Sequence, residues 1–282
     1  MPVLTSEAVV LRTWPVHEAD LIVSLFTRDY GRLRGVAKAA LKSRKRFGGA
    51  LEPMTLARAW FAERPRQELV RLDQLEIVRS PLSAPVDHTR MAALSFYAEV
   101  IDEALPERDP QETVFRLLVS VLEHTTAVKS RAARPDLAQS DVVEPPASGP
   151  APDGPQSSES PSSGPWMALT YFSLWMTRLM GLLPDIARCI VCSEALHAEE
   201  ISFSSYTDGL VCAVHRNGNA SALSADSWQL AQRMLRSPAS AFASEQWPRR
   251  RGQDLRRFTM QTLERHLERK LKSAEALSRL GG

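Results

Sequence analysis

The 282-residue sequence predicts an α+β protein, a small closed β-barrel followed by an α-helical domain, and three observations carry that reading. Up to about residue 80, apolar residues alternate in short runs separated by turn signals. Beyond residue 84 they recur at helical spacing instead. A long Pro/Ser/Gly-rich stretch with almost no large apolar side chains then interrupts the helical region.

The β-rich runs are Ser6 to Trp14, Asp20 to Thr27, Gly31 to Ala37, Met54 to Phe61 and Leu69 to Val78. Each holds β-branched or aromatic residues with partial period-two alternation, and Asp29-Tyr30-Gly31 supplies a hairpin turn between the second and third. Five short strands suit a small closed barrel. The longer connection from Lys38 to Pro53, between strands three and four, gives the layout of an OB-fold over residues 1–80.

Residues 81–131 form the first part of the helical domain. Met91, Leu94, Ala98, Ile101 and Leu105 fall on one stripe, and Val114, Leu117, Leu118, Val121 and Leu122 on the next. Residues 132–165 cannot bury enough apolar surface to offset their ordering entropy, which predicts a disordered tether. The second helical part, residues 166–282, opens with Trp166 to Leu183, apolar nearly all round like a helix inside a bundle. Ser224 can cap a helix running to about Arg236. Leu255, Phe258, Leu263, Leu267 and Leu271 predict a single last helix from Asp254 to about Ser273.

Charge is segregated beneath a net +2. Residues 1–80 carry 14 basic and 9 acidic side chains, residues 81–128 carry 3 and 8, and residues 166–282 carry 15 and 11. No apolar run approaches the roughly 20 residues of a membrane span. The start MPVLTSEAVVLR lacks a basic segment followed by an apolar one, so the expectation is a cytoplasmic protein with no membrane partner.

Cys189-Ile-Val-Cys192 and Cys212-Ala-Val-His215 are two chelating pairs, each with two residues between ligands. Such knuckles turn both side chains toward one point, where a tetrahedral Zn²⁺ can close over them. His197 is a rival fourth ligand outside the paired geometry. Four protein ligands leave no open position, so the metal reads as structural, a zinc finger over residues 189–215. His197-Ala-Glu199 offers the H-x-E of a nucleobase deaminase only superficially, since it follows the cysteines instead of preceding them.

Arg28, Arg32, Arg34, Lys38, Lys42, Arg44, Lys45 and Arg46 place eight cations in nineteen residues, opposed only by Asp29 and interleaved with Tyr30 and Phe47. On a five-stranded barrel they flank the face by which OB-folds hold single strands, through a cationic track and stacked aromatics. A third cluster, Arg249-Arg250-Arg251 with Arg256, Arg257, Arg265, Arg269, Lys270 and Lys272, stays open between a second nucleic-acid or acidic-peptide surface and an exposed helix face with pairs such as Glu268 and Lys272. No nucleotide-hydrolysing, dinucleotide-binding or nucleophile-elbow motif occurs, and no spacing suggests a catalytic cluster.

The segments EAVVLRTWPVHEADLIVSLFTRDYGRLRGVAKAA, RFGGALEPMTL, YAEVIDEALPE, the cysteine stretch and LERHLERKLKS resemble the bacterial RecO family of recombination mediators. That resemblance implies an N-terminal OB-fold, a C-terminal helical domain that often carries a zinc finger, and no enzymatic activity. It implies binding of single- and double-stranded DNA, annealing of complementary strands, and help to RecR in loading RecA onto DNA coated by single-strand-binding protein, whose acidic C-terminal tail is contacted. It assigns DNA to the basic positions from Arg28 to Arg46 and zinc to Cys189, Cys192 and Cys212. Family members with zinc usually have a fourth cysteine where this chain has His215. The alternatives are a zinc-dependent nucleic-acid-modifying enzyme and a protein-interaction scaffold without direct DNA contact.

Overall fold

The computed structural model describes residues 2–63, 66–83, 87–126 and 164–280. Strands β1 (Leu4–Pro15), β2 (Leu21–Thr27), β3 (Gly31–Ala37), β4 (Leu56–Ala62) and β5 (Val70–Arg79) close a barrel in the order β1-β2-β3-β5-β4. Every pairing is antiparallel except β3 with β5, which run parallel where Gly35 to Ala37 meet Val70 to Leu72. Alternation sets the interior: Ala8, Val10, Val23, Leu25, Leu33, Ala59, Phe61 and Leu72 point inward, small residues beside large ones. Phe47, from the β3–β4 connection, joins that interior at 1% exposure.

The outer face of the same strands is not free. Val9, Leu11 and Phe26 belong to the apolar cluster of the helices, and the Phe26 ring lies 5.6 Å from Phe115. The helices are α1 (His88–Ala104), α2 (Glu112–Thr126), α3 (Gly164–Leu179), α4 (Ala225–Met234), α5 (Gln253–His266) and α6 (Lys272–Arg279), with a short ribbon of β6 (Ser202–Phe203) and β7 (Ser221–Ala222) before α4. Asp87 and Ser224 cap α1 and α4 by accepting from Arg90 and Ser227 N–H groups. As its composition predicts, α3 is buried almost all round, packed against α2 and α5.

Three expectations change in detail. Gly164 and Pro165, expected at the end of the tether, form the first turn of α3. Proline suits a first turn, and a Cβ at Gly164 would lie 2.6 Å from the His124 carbonyl oxygen, so only glycine lets the two helix ends approach. The rest of the expected tether, 132–163, lies outside the described residues. Met91 is 43% exposed, because the buried face of α1 centres on Ala93, Tyr97 and Val100 and Met91 sits roughly 120° round the helix from Tyr97.

The predicted last helix is two. Glu268 adopts φ 53°, and α5 ends in a Schellman motif, with Arg269 N donating to Glu264 O (3.1 Å) and Glu268 N to Arg265 O (3.2 Å). The expected Glu268–Lys272 helix pair therefore does not form. Glu99 of α1 starts α6 by accepting from Lys272 N (3.0 Å), Ser273 N (2.8 Å) and the Ser273 hydroxyl. A carboxylate satisfies the free N–H groups of a helix start and opposes its positive end.

Ion pairs fix the barrel on the helices. Asp102, in the last turn of α1, accepts from Ser24 Oγ (2.8 Å) and Arg32 Nη1 (3.3 Å) and lies 3.3 Å from Arg12 Nε. Glu103 joins Arg12 to Arg269 at 3.7 and 2.7 Å, and Glu107 joins Arg34 to Arg32 at 3.0 and 3.4 Å. Beside them Gly31, with φ 68°, meets the α1–α2 connection so closely that a Cβ would sit 2.3 Å from Asp109 O.

Burial alone raises the Glu99 carboxyl, but the donors from Ser273 and Lys272, with Arg12 nearby, outweigh it and hold the group below its usual range. A depressed native value contributes stability that is complete above the ordinary Glu value of about 4.3 and is lost as pH falls through the native value. Between pH 6 and 3 the wild type is expected to lose more urea-unfolding free energy than Glu99→Gln, which keeps an acceptor at that position but cannot titrate; parallel curves would contradict the role of the cap.

Candidate nucleic-acid interface and metal centre

The eight cations from Arg28 to Arg46 divide into two groups. Arg28 pairs with Glu7 (2.6 Å) and lies over the Phe115 ring, Arg32 is 9% exposed and donates Nε–H to Leu105 O (3.0 Å), and Arg34 pairs with Glu107. These three face the helical domain. Arg32 in particular offers no outward guanidinium, because its strand face is the one the helices cover. Arg46 folds back on its own connection, donating to Ser43 Oγ (3.0 Å) and Lys38 O (2.6 Å) above the Phe47 ring. Lys38, Lys42, Arg44 and Lys45 remain, all exposed and without an ion pair among the described residues.

The aromatics expected to interleave with these cations are engaged elsewhere. Phe47 is inside the barrel, and half-buried Tyr30 packs edge-on against Phe61 at 5.3 Å. Alternation could have flagged Phe47 no better than a surface position, since it lies in a connection of turns and a 3-10 segment at Ala40–Lys42.

The paired knuckles do converge. Ligand atoms of Cys189, Cys192, Cys212 and His215 all lie within 4.8 Å of one another. Cys212 Sγ is 3.3 Å and Cys189 Sγ 3.8 Å from His215 Nδ1, and Cys192 Sγ is 4.0 Å from Cys212 Sγ. Tetrahedral thiolate bonds of about 2.3 Å require S–S separations of about 3.8 Å, so the four donors fit a metal ion, and His197 stands outside the group. The first knuckle closes through Ser193 N donating to Cys189 O (2.9 Å), with Ser193 in the left-handed region. The second is a 3-10 turn, Ala213–His215. Burial opposes ionisation of the Cys189 thiol, yet the backbone around Cys192, Cys212 and Val191 holds it down to about 6, which favours the thiolate a metal needs.

The insertion is tied to the bundle. Trp228 Nε1 donates to Ile186 O (2.7 Å), Phe203 packs on Phe258 at 5.4 Å, and Arg265 of α5 reaches Thr207 O (2.8 Å) and Asp208 (2.7 Å).

A family profile described as recombination protein O N terminal matches residues 1–81, and its counterpart, recombination protein O C terminal, matches residues 85–136 and 158–275. The chain is 45% identical over 275 residues to the DNA repair protein RecO of Koribacter versatilis (strain Ellin345), covering 98% of both chains. The chain belongs to the RecO family. More distant RecO proteins, from Anaeromyxobacter sp. (strain K) and Pelotomaculum thermopropionicum, are 29% and 28% identical over 97% and 100% of this chain and 95% and 96% of their own.

Within the RecO C-terminal match lies a groove of about 460 Å³ between α3, α5 and α6. Trp166, Leu169, Met260, Leu271 and Leu277 contribute its apolar lining, with Arg249, Arg256 and Arg257 beside them and Glu264 and Glu275, paired with Lys270 and Arg279, at its edge. Of the C-terminal cations, Arg251, Arg265, Arg269 and Lys270 pair with Glu245, Asp208, Glu103 and Glu264. Arg256 is 4% exposed and stacked on Trp166, donating to Thr170 Oγ1 (2.7 Å) and the carbonyls of Arg251 and Arg249, with no carboxylate in ion-pair contact among the described residues. Burial pulls it down to about 10. Arg250, Arg257 and Lys272 stay exposed without an ion pair among the described residues.

One bound metal per chain is expected by elemental analysis. Its removal by a strong chelator, or Cys212→Ser, is expected to lower Tm by roughly 6–12 °C if about 3 kcal/mol of metal-linked folding energy is lost. An unchanged Tm after complete removal would show that the four donors do not clamp the fold.

Proposed function

We propose that the protein is a non-enzymatic recombination mediator in DNA repair. It binds single- and double-stranded DNA, anneals complementary strands, and helps RecR load RecA onto DNA coated by single-strand-binding protein, acting in the cytoplasm at the nucleoid. The observation that carries the reading is the unpaired group Lys38, Lys42, Arg44 and Lys45 on a closed five-stranded barrel. Cations held free of acids can neutralise phosphates and release counterions, whereas those already in ion pairs gain little. The relatives that are DNA repair proteins of the RecO family support the same role. No helix among the described residues is long and apolar enough to cross a membrane.

The ion at Cys189, Cys192, Cys212 and His215 is read as Zn²⁺ in a structural role. Three thiols and an imidazole suit zinc, and four protein donors fill a tetrahedral sphere without leaving a site for water. Glu199, which the H-x-E pattern would offer as a deaminase-type general base, is an exposed residue outside the donor group.

The acidic tail of single-strand-binding protein is assigned to the α3–α5–α6 groove. Arg256 carries its charge beneath the groove with no ion pair among the described residues, Arg249 and Arg257 add to it, the lining carboxylates Glu264 and Glu275 are already paired with Lys270 and Arg279, and the apolar lining accepts hydrophobic side chains of an otherwise acidic peptide.

Annealing of complementary strands precoated with single-strand-binding protein is expected to proceed without ATP. Changing Lys38, Lys42, Arg44 and Lys45 to Ala should flatten the salt dependence of single-strand affinity by about 3 in the log–log slope, at roughly 0.7 per phosphate contact. An unchanged slope would remove this connection from the DNA site.

In a second measurement, Arg249→Glu with Arg257→Glu is expected to weaken binding of an acidic tail peptide at least tenfold by fluorescence anisotropy while leaving DNA binding intact. Equal peptide affinity would place the tail elsewhere.

A further inference from the structure

The two aromatics that the sequence sets among the cations do not face solvent as a stacking surface, yet the barrel has an exposed ring in another place. Residues directly opposite one another in adjacent strands share a face. On the outer face of β1, β2 and β3, one row is Arg12, Ser24 and Arg34, and the next row toward the barrel end is Trp14, Ile22 and Val36. The first row is bound to α1 and the segment after it through Asp102 and Glu107. The second row lies past those contacts. Trp14 is 37% exposed, and Ile22 and Val36 are half-buried.

Trp14 also differs from most of the other tryptophans in what it touches: Trp166 lies under Arg249 and Arg256, and only half-buried Trp60 on β4 shares its lack of a side-chain partner among the described residues. Trp175, Trp228 and Trp247 each donate Nε1–H to a carbonyl, of Met234, Ile186 and Phe242 respectively. The Trp14 side chain has no hydrogen bond, ring contact or cation partner among the described residues.

The unpaired cations are held next to it. Ala39 N donates to Asp20 Oδ1 (2.7 Å) and Leu41 N to Ala19 O (3.2 Å), pinning the β3–β4 connection against the β1–β2 loop. Val16 N donates to Asp20 O (3.1 Å) in the same loop, immediately after Trp14 and Pro15. Lys38 and Lys42 therefore flank the loop that Trp14 begins. Asp20 is occupied by the Ala39 N–H, and exposed Glu18 is the one acid of that loop left to oppose them.

We infer that Trp14 is a base-stacking residue, the aromatic platform on which a single-stranded nucleic acid lays a base while Lys38, Lys42, Arg44 and Lys45 hold its phosphates. Exposed aromatic surface beside free cations fits this occupant, since every base has a π-face and each nucleotide a negative charge. The inference rests on the DNA-binding reading above and adds the group that distinguishes unpaired bases from a duplex, whose bases stay stacked on one another.

The test uses the full chain, with Trp14→Ala and Trp14→Phe checked first for an unchanged Tm. Titration with an oligothymidine is expected to show Trp14→Ala binding about 5- to 150-fold more weakly, the usual range for losing one stacked base. Its salt slope should stay that of the wild type, because the phosphate contacts remain, and duplex affinity should stay within about twofold. Trp14→Phe should recover most of the loss and abolish the main quenching of tryptophan fluorescence on binding. Trp14→Ala binding the oligomer as tightly as wild type, with the quadruple Ala variant still weakened, would overturn the role of Trp14 alone. Failure of the wild type to bind at all would overturn the DNA reading and this inference together.

Discussion

The carboxylate of Asp102 is where barrel and helices become one body. Its oxygens meet Ser24 and Arg32 from β2 and β3 and Arg12 from β1, and its side chain is 9% exposed. Taking either sign of charge this far from water is costly unless partner and geometry are both supplied. The acidic end of α1 thus dictates which barrel cations are internal, and the opposite net charges of the two sequence segments become an intramolecular contact. What is left for an external polyanion is the portion of the basic run beyond the reach of α1, on the β3–β4 connection.

The same division organises the helical domain. Buried on nearly every side, α3 is the axis against which α2 and α5 pack. The four-donor knuckle sits at the other side of α5, held by Phe203 on Phe258 and by Arg265. A ribbon of two-residue strands has little core of its own, so a metal cross-link and a few contacts to α4 and α5 account for its order.

Much of this was legible in the sequence because it is local. Period-two alternation, the Asp29-Tyr30-Gly31 turn and the two C-x-x-C/H knuckles each depend on residues a few positions apart, and they placed the strands within two residues of their ends. What was not legible depends on partners far away in the chain. Composition gives the sign of Arg32 but not that Asp102 faces it. Leu267 and Leu271 continue a helical stripe with no Gly or Pro between them, and α6 starts afresh because Glu264 accepts from Leu271 N and the remote carboxylate of Glu99 accepts from Lys272 N and Ser273 N. Phe47 sits next to cations in sequence and inside the barrel in space. One available signal was missed: Trp14 shares strand parity with Arg12, which marks it as outward-facing.

The cap that Glu99 places on α6 joins residues 173 and 174 positions apart. During synthesis from the N-terminus, the barrel and α1 emerge long before α6 exists to donate to that carboxylate. Until α6 has left the ribosome, Glu99 lacks its Lys272 and Ser273 donors, so this flank of α1 stays open to solvent. Emergence of α6 is thereby registered in the packing of α1, and a product truncated before Lys272 would carry an uncapped acid beside an unfinished apolar seam.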